Sequence, residues 1–157
     1  MLLTHADPRV LGYLGRALSL ELSAVQLYTT QARLLGIWGL VEESARFRAE
    51  ATEELRHAER IIGRMLALSV APNASQLRPV RLGQCLHDLL SYNLSFENEL
   101  VQLYTQATDH CARVGDQDNR VFFEQLLNEE KAHAHELAKW LKQIEQPGVS
   151  SKSGHSK

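Results

Sequence analysis

Long apolar runs are missing from this 157-residue chain. The longest, near Leu34 to Val41, falls far short of the ~18 residues that would suggest a membrane span. Charge of one sign is missing too. With 23% charged residues and a formal net charge of −2, no field for a nucleic-acid backbone or an anionic membrane is expected. The opening residues Met1-Leu2-Leu3-Thr4-His5-Ala6-Asp7 lack a basic segment followed by an apolar one, so no secretory leader is expected and the predicted location is cytoplasmic. Cysteine is scarce. Cys85 and Cys111 fall towards opposite ends of one expected helix, roughly 39 Å apart at ~1.5 Å per residue, beyond an intrachain disulfide. They read as buried thiols in a reducing compartment. No β-branched alternating run occurs anywhere, which excludes a sheet as the organising element. The length suits one domain with a real core.

What is present is helical periodicity. Asp7-Pro8 opens a first helix, with Asp as cap and Pro at the first helical position. Leu14, Leu18, Glu21, Val25, Tyr28, Ala32 and Leu35 then recur by three and four, one face of that helix. Gly36-Ile37-Trp38-Gly39 ends it. A second helix is predicted from roughly Leu40 to Leu68, with the stripe Phe47, Glu50, Glu54, His57, Ile61, Met65 and Leu68. Pro72, Asn73 and Pro79 mark an extended connection of about ten residues, suited to crossing a bundle whose middle helices run parallel. A third helix is predicted from about Leu82 to Ala112, with Leu90, Leu94, Glu97, Val101, Tyr104, Thr108 and Cys111 on its inner face. Gly115-Asp116 breaks the chain. The fourth helix carries Phe123, Leu126, Glu130, His133, Leu137, Trp140 (or Leu141) and Ile144 and closes at Gln146-Pro147-Gly148. Residues 1–146 thus read as an all-α four-helix bundle with a long crossover between helices 2 and 3. Residues 147–157, mostly Ser, Lys and Gly, read as a disordered polar tail.

The helices repeat. Val25-Gln26-Leu27-Tyr28-Thr29 recurs as Val101-Gln102-Leu103-Tyr104-Thr105, an offset of 76. The same offset relates Glu21 to Glu97, Glu54 to Glu130 and His57 to His133. Glu54-Leu55-Arg56-His57 and Glu130-Lys131-Ala132-His133 are both Glu-x-x-His, a spacing that places two donors on adjacent turns of one face. A solvated polar face would accommodate carboxylates, but not their shared offset within otherwise apolar stripes. Buried carboxylates need cationic relief, and no Lys or Arg lies on these stripes. Four ionised carboxylates balance two divalent ions, and the oxygen and nitrogen donors suit Fe, Mn or Zn. Glu21, Glu54, His57, Glu97, Glu130 and His133 are therefore the candidate metal ligands.

On these residues the chain resembles bacterioferritin over about residues 9 to 145. The likeness rests on Leu20-Glu21-Leu22 with Tyr28, on Trp38-Gly39-Leu40, on Glu53-Glu54-Leu55-Arg56-His57-Ala58 and on Glu129-Glu130 with His133. It implies a ferritin-like bundle in which Glu54 and Glu130 bridge two irons. Glu21 with His57 would complete one iron and Glu97 with His133 the other. The implied activity is oxidation of Fe(II) by dioxygen or hydrogen peroxide and storage of the ferric product. Tyr28 would be an electron donor beside the site. Glu50, whose repeat partner is Leu126, would either line the route by which metal enters or simply point to solvent. Three departures carry expectations of their own. Leu55 stands where the family's haem-ligating Met would be, so haem is not expected. Ala49 replaces the His of an inner-surface iron site. The polar tail replaces a fifth helix. Since the family's shell contacts rest mostly on the four-helix body, the expected assembly is still a homo-oligomer, at least a dimer through the outer face of the first two helices, competent to form a 24-subunit shell with wider four-fold openings. An alternative role is a non-catalytic subunit that assembles with an active partner. Glu99, Glu129 and His135 are expected at the surface, and His5, His87, His110 and His155 lack ligand-spaced partners.

Overall fold

The computed structural model describes residues 6–73 and 75–146. The tail predicted for residues 147–157, and His5 and His155, lie outside them. Among the described residues there are four α-helices and no strand: α1 (Pro8–Ile37), α2 (Val41–Ala67), α3 (Leu86–Val114) and α4 (Gln117–Glu145). None is long and apolar enough to cross a membrane.

The helix ends follow from the residues at them. The Asp7 carboxylate accepts from the Arg9 amide at 2.8 Å, relieving one of the unpaired donors of the first turn. Gly39 takes φ +81°, and the Leu40 amide reaches back to the Leu35 carbonyl at 2.9 Å, so the chain reverses into α2. Ser44 Oγ then donates to the Ala32 carbonyl at 2.6 Å and fixes α2 against α1. Gly115, at φ +74°, terminates α3, a left-handed stop that disfavours a side chain. Asp116 caps α4 through the Asn119 amide.

Two expectations are corrected. The connection between α2 and α3 occupies residues 68–85 rather than about ten residues, and α3 begins at Leu86 rather than near Leu82. Leu82 fits the apolar spacing, yet it is 65% exposed. The Asp88 side chain accepts from the Gln84 amide at 2.9 Å and sets the start of the helix there. A Cβ on Gly83 would come within 2.5 Å of the Asp88 Cβ, so glycine permits this close turn. The segment is fastened across the bundle. The amides of Gln76 and Arg78 donate to Ser19 Oγ and Ser23 Oγ of α1, and the Arg78 guanidinium pairs with Glu99 of α3 at 2.7 Å. The second correction concerns thiols: Cys111 is buried, but Cys85 is exposed at the start of α3, and both are free.

Antiparallel packing fixes the register of all four helices. Tyr28 meets Glu97 and Tyr104 meets Glu21, so α1 and α3 run in opposite directions while α2 and α3 run parallel. The apolar interior divides into two clusters. The larger runs from Val10 and Leu14 through Tyr104, Phe123 and Leu126. The smaller gathers Leu35, Phe47, Leu89, Leu137 and Trp140. Each fully buried side chain of this kind contributes roughly 1.5–3 kcal/mol. That apolar framework is what can hold charged groups in the middle of a bundle.

Candidate metal centre

All six predicted ligands converge. Glu21, Glu54, Glu97 and Glu130 are 0–1% exposed, as is His57, and the His133 side chain is 23% exposed. One ligand atom from each of Glu21, Glu54, His57 and Glu130 lies within 4.8 Å of the others. The same holds for Glu54, Glu97, Glu130 and His133. Glu54 and Glu130 belong to both groups, so the two positions share an edge made of two carboxylates.

The contacts cross between the hairpins. His57 Nδ1 of α2 is 2.7 Å from Glu130 Oε1 of α4 and 3.4 Å from Glu21 Oε1 of α1. His133 Nδ1 of α4 is 3.0 Å from Glu54 Oε1 of α2. Both imidazoles turn Nδ1 inward, and their rings stack 5.8 Å apart at 16°. Outside the centre, His57 Nε2 is 3.7 Å from Glu129 Oε2, which is itself held by Arg60 at 2.6 Å. Glu129 is otherwise exposed, as expected, and so is His135.

Two phenols complete the surroundings. Tyr28 donates to Glu97 Oε1 at 2.6 Å, and Tyr104 donates to Glu21 Oε1 at 2.7 Å. Both rings are fully buried. Burial, reinforced by nearby carboxylates, raises both phenols well above their ordinary range and keeps them as O–H donors. Sequence reasoning singled out Tyr28 and treated Tyr104 as plain core. The repeated Val-Gln-Leu-Tyr-Thr was the signal that could have paired them.

The electrostatics show what the centre wants. Burial pushes the Glu21 and Glu130 carboxyls well above the usual carboxylate range, with neighbouring carboxylates adding to it. Burial likewise lifts Glu97 to about 7, Glu54 contributing. Burial opposes ionisation at Glu54 as well, but hydrogen bonds from Glu21, His133 and His57 overcome it and hold its carboxyl low. His57 is desolvated, which alone would lower it, yet its bonds to Glu21 and Glu54 raise it to about 10. His133 rises for similar reasons, chiefly through Glu54. Carboxylates and imidazoles therefore compete for protons in a space that disfavours each as a lone ion.

One oxygen, Oε2, on each of Glu21, Glu54, Glu97 and Glu130 is buried without a hydrogen-bond partner. Unsatisfied groups of this kind are costly, and a pair of cations between them supplies the missing partners. The donor set fits divalent metal: four carboxylates, two imidazole Nδ1 atoms and no thiolate. Glu50, half-buried on α2, also has an unpartnered Oε2. Burial, with Glu97 adding to it, lifts its carboxyl to about 7. The counterpart of Glu50 in the repeat is Leu126, fully buried. His110, which lacked a ligand-spaced partner in the sequence, packs against Tyr13 and contacts Asp7 at 2.7 Å. It ties the start of α1 to the end of α3, away from the centre.

Comparison with known proteins agrees with this geometry. Residues 11–146 match the family described as a ferritin-like domain. Bacterioferritin from Rhodobacter capsulatus is 38% identical over 127 residues, covering 81% of this chain and 79% of that protein. Bacterioferritin from Mycolicibacterium paratuberculosis is 33% identical over 145 residues, covering 92% of this chain and 91% of that one. A solved structure of the Rhodobacter capsulatus protein, described as having a metal-free dinuclear site and a haem iron in a crystallographic special position, superimposes with a TM-score of 0.83. It shares 36% identity and covers 87% of this chain and 86% of its own.

Proposed function

The chain belongs to the ferritin-like family, among the bacterioferritins, and from that premise we propose that it stores iron by oxidising Fe(II) at the centre described above. The observation that carries this is the pair of four-residue groups sharing Glu54 and Glu130. Glu54 and Glu130 would bridge the two metal positions. Glu21 with His57 would complete the first, and Glu97 with His133 the second. Iron bound there supplies the redox chemistry and dioxygen or hydrogen peroxide accepts the electrons; Mn or Zn would fit the same donors.

The residues of the chain have separable tasks. Tyr28 donates to Glu97 and Tyr104 donates to Glu21, so each phenol lies beside one metal position. Glu129, held by Arg60, lies 3.7 Å beyond His57 Nε2 and would act on that ring through its charge, not through a hydrogen bond. The two apolar clusters exclude water and fix the donors. Glu50 would conduct cations inward past His133, the more exposed histidine. Tyr28 would return an electron to the centre. Leu55, 43% exposed, offers no donor for haem. For assembly, a homodimer is the minimal unit and a 24-subunit shell the larger form.

Four buried carboxylates with unpartnered oxygens argue against a purely structural subunit, which gains nothing from them. The deciding experiment is stopped-flow mixing of the purified chain with Fe(II) and dioxygen, watching ferric absorbance. Rapid growth saturating at two irons per chain is expected. Growth no faster than in protein-free buffer would overturn the proposal.

A further inference from the structure

We infer that Tyr104 is a second internal electron donor, paired with Tyr28, so that each metal position has its own phenol. The inference rests on the iron-oxidising reading of the centre. Its ground is the geometric equivalence of the two tyrosines across the repeat. Each O–H meets Oε1 of a terminal glutamate, at 2.7 Å for Tyr104 with Glu21 and 2.6 Å for Tyr28 with Glu97. Each ring is fully buried and packs against a phenylalanine, Phe123 at 6.4 Å for Tyr104 and Phe96 at 6.5 Å for Tyr28. A phenol bonded to a carboxylate has a path for its proton when it loses an electron, and an apolar cage shelters the radical left behind.

The electron count gives the pair a purpose. Two Fe(II) supply two electrons, which takes dioxygen only to hydrogen peroxide. Reduction to water needs four. One dioxygen, two Fe(II), two phenols and two protons from solvent give two waters, two Fe(III) and two phenoxyl radicals. The phenolic protons leave along the hydrogen bonds to Glu21 and Glu97 and supply the other two protons of the water. Further Fe(II) then returns each radical to the phenol. With a tyrosine at each position, the first turnover releases no peroxide inside the protein.

The test compares the natural chain with Tyr104→Phe, Tyr28→Phe and the double variant. Each is loaded with two Fe(II), mixed with dioxygen, freeze-quenched and read by electron paramagnetic resonance, and peroxide is assayed in parallel. The natural chain is expected to show two tyrosyl radicals and no peroxide. Each single variant holds only three of the four electrons, so its dioxygen stops at peroxide: about one peroxide per pair of irons and less than half the natural radical signal are expected. The double variant should release as much peroxide and show no radical. A full radical signal, or no peroxide, in Tyr104→Phe overturns the inference. Co(II) titration followed by visible absorbance should still give two equivalents in every variant; loss of one in Tyr104→Phe would make this tyrosine a positioning residue and also overturn it. If the natural chain itself never develops ferric absorbance, the iron-oxidising reading fails, and this inference with it. Ferric growth in Tyr104→Phe with no peroxide released sinks the inference alone.

Discussion

The position built on Glu21 and His57 and the position built on Glu97 and His133 use equivalent residues of one internal repeat, yet they differ in access. His57 is 1% exposed, and its outer nitrogen faces Glu129 at 3.7 Å. The His133 side chain is 23% exposed, and Glu50 lies within electrostatic reach of it and of Glu97. Where the repeat would place a second Glu50, Leu126 closes the core. The donor residues obey the symmetry and their exposure breaks it. Under the proposed reading, metal would enter past Glu50 alone.

Removing a shared carboxylate should erase the distinction, because both positions depend on it. Glu130→Ala is expected to slow Fe(II) oxidation by more than about 100-fold, beyond what loss of an outer partner causes. Circular dichroism should show the helices intact in the metal-free protein. Oxidation at the natural rate in this variant would sink the ligand assignment.

Acid should sharpen the comparison. A carboxyl raised by the fold contributes stability fully below its ordinary value, and loses that contribution as the pH climbs through the raised one. For Glu97 the window runs from 4.5 to about 7, and metal binding must displace that proton. Affinity at the second position should therefore fall as the pH drops below about 7, in addition to the loss that both positions share through the raised Glu130. At the first position Glu21 is raised further and His57 reaches about 10, so its affinity should decline from a higher pH. Co(II) titrations between pH 5 and 8 would show one equivalent lost before the other; simultaneous loss would contradict the assigned difference.

Closing that route should slow filling without changing capacity. Glu50→Leu, which makes the two halves alike, is expected to reduce the initial Co(II) uptake rate about tenfold, at the low end of electrostatic steering, while two equivalents still bind. An unchanged rate would place the route elsewhere. The smallest effect should come from Glu129→Ala. At 3.7 Å from His57 Nε2 the contact is too long for a hydrogen bond, so only a few-fold loss of affinity is expected, confined to the first position. Equal weakening at both would show that Glu129 does not act through His57.

Much of this was legible before any coordinates. Four stripes and one offset of 76 were enough to bring six donors to one place, because buried charge inside an apolar stripe is rare and a repeat cannot be read as a solvated face. The start of α3 was not legible, since Leu82 continues the apolar spacing while the actual stop is a local bond from Gln84 to Asp88. The hydroxyl of Tyr104 was equally hidden. Its partner lies 83 residues away on another helix, and periodicity shows which face a residue occupies but not what its far end touches. The asymmetry of access needed the residue that departs from the repeat, Glu50, to be seen against a buried Leu126.

The crossed contacts also bear on ancestry. Each helical hairpin carries a tyrosine, a terminal glutamate and a Glu-x-x-His, but neither completes a metal position alone: Tyr104 secures the glutamate of the other hairpin, and His57 rests on Glu130 of the other. Two separate hairpins docked face to face would assemble the whole set of donors with no covalent link between them. The segment at residues 68–85 fastens this pairing without supplying a ligand to it. A site of this kind can precede the fusion of its two halves, and the joined chain is then free to let one half specialise in admission while the other stays shut.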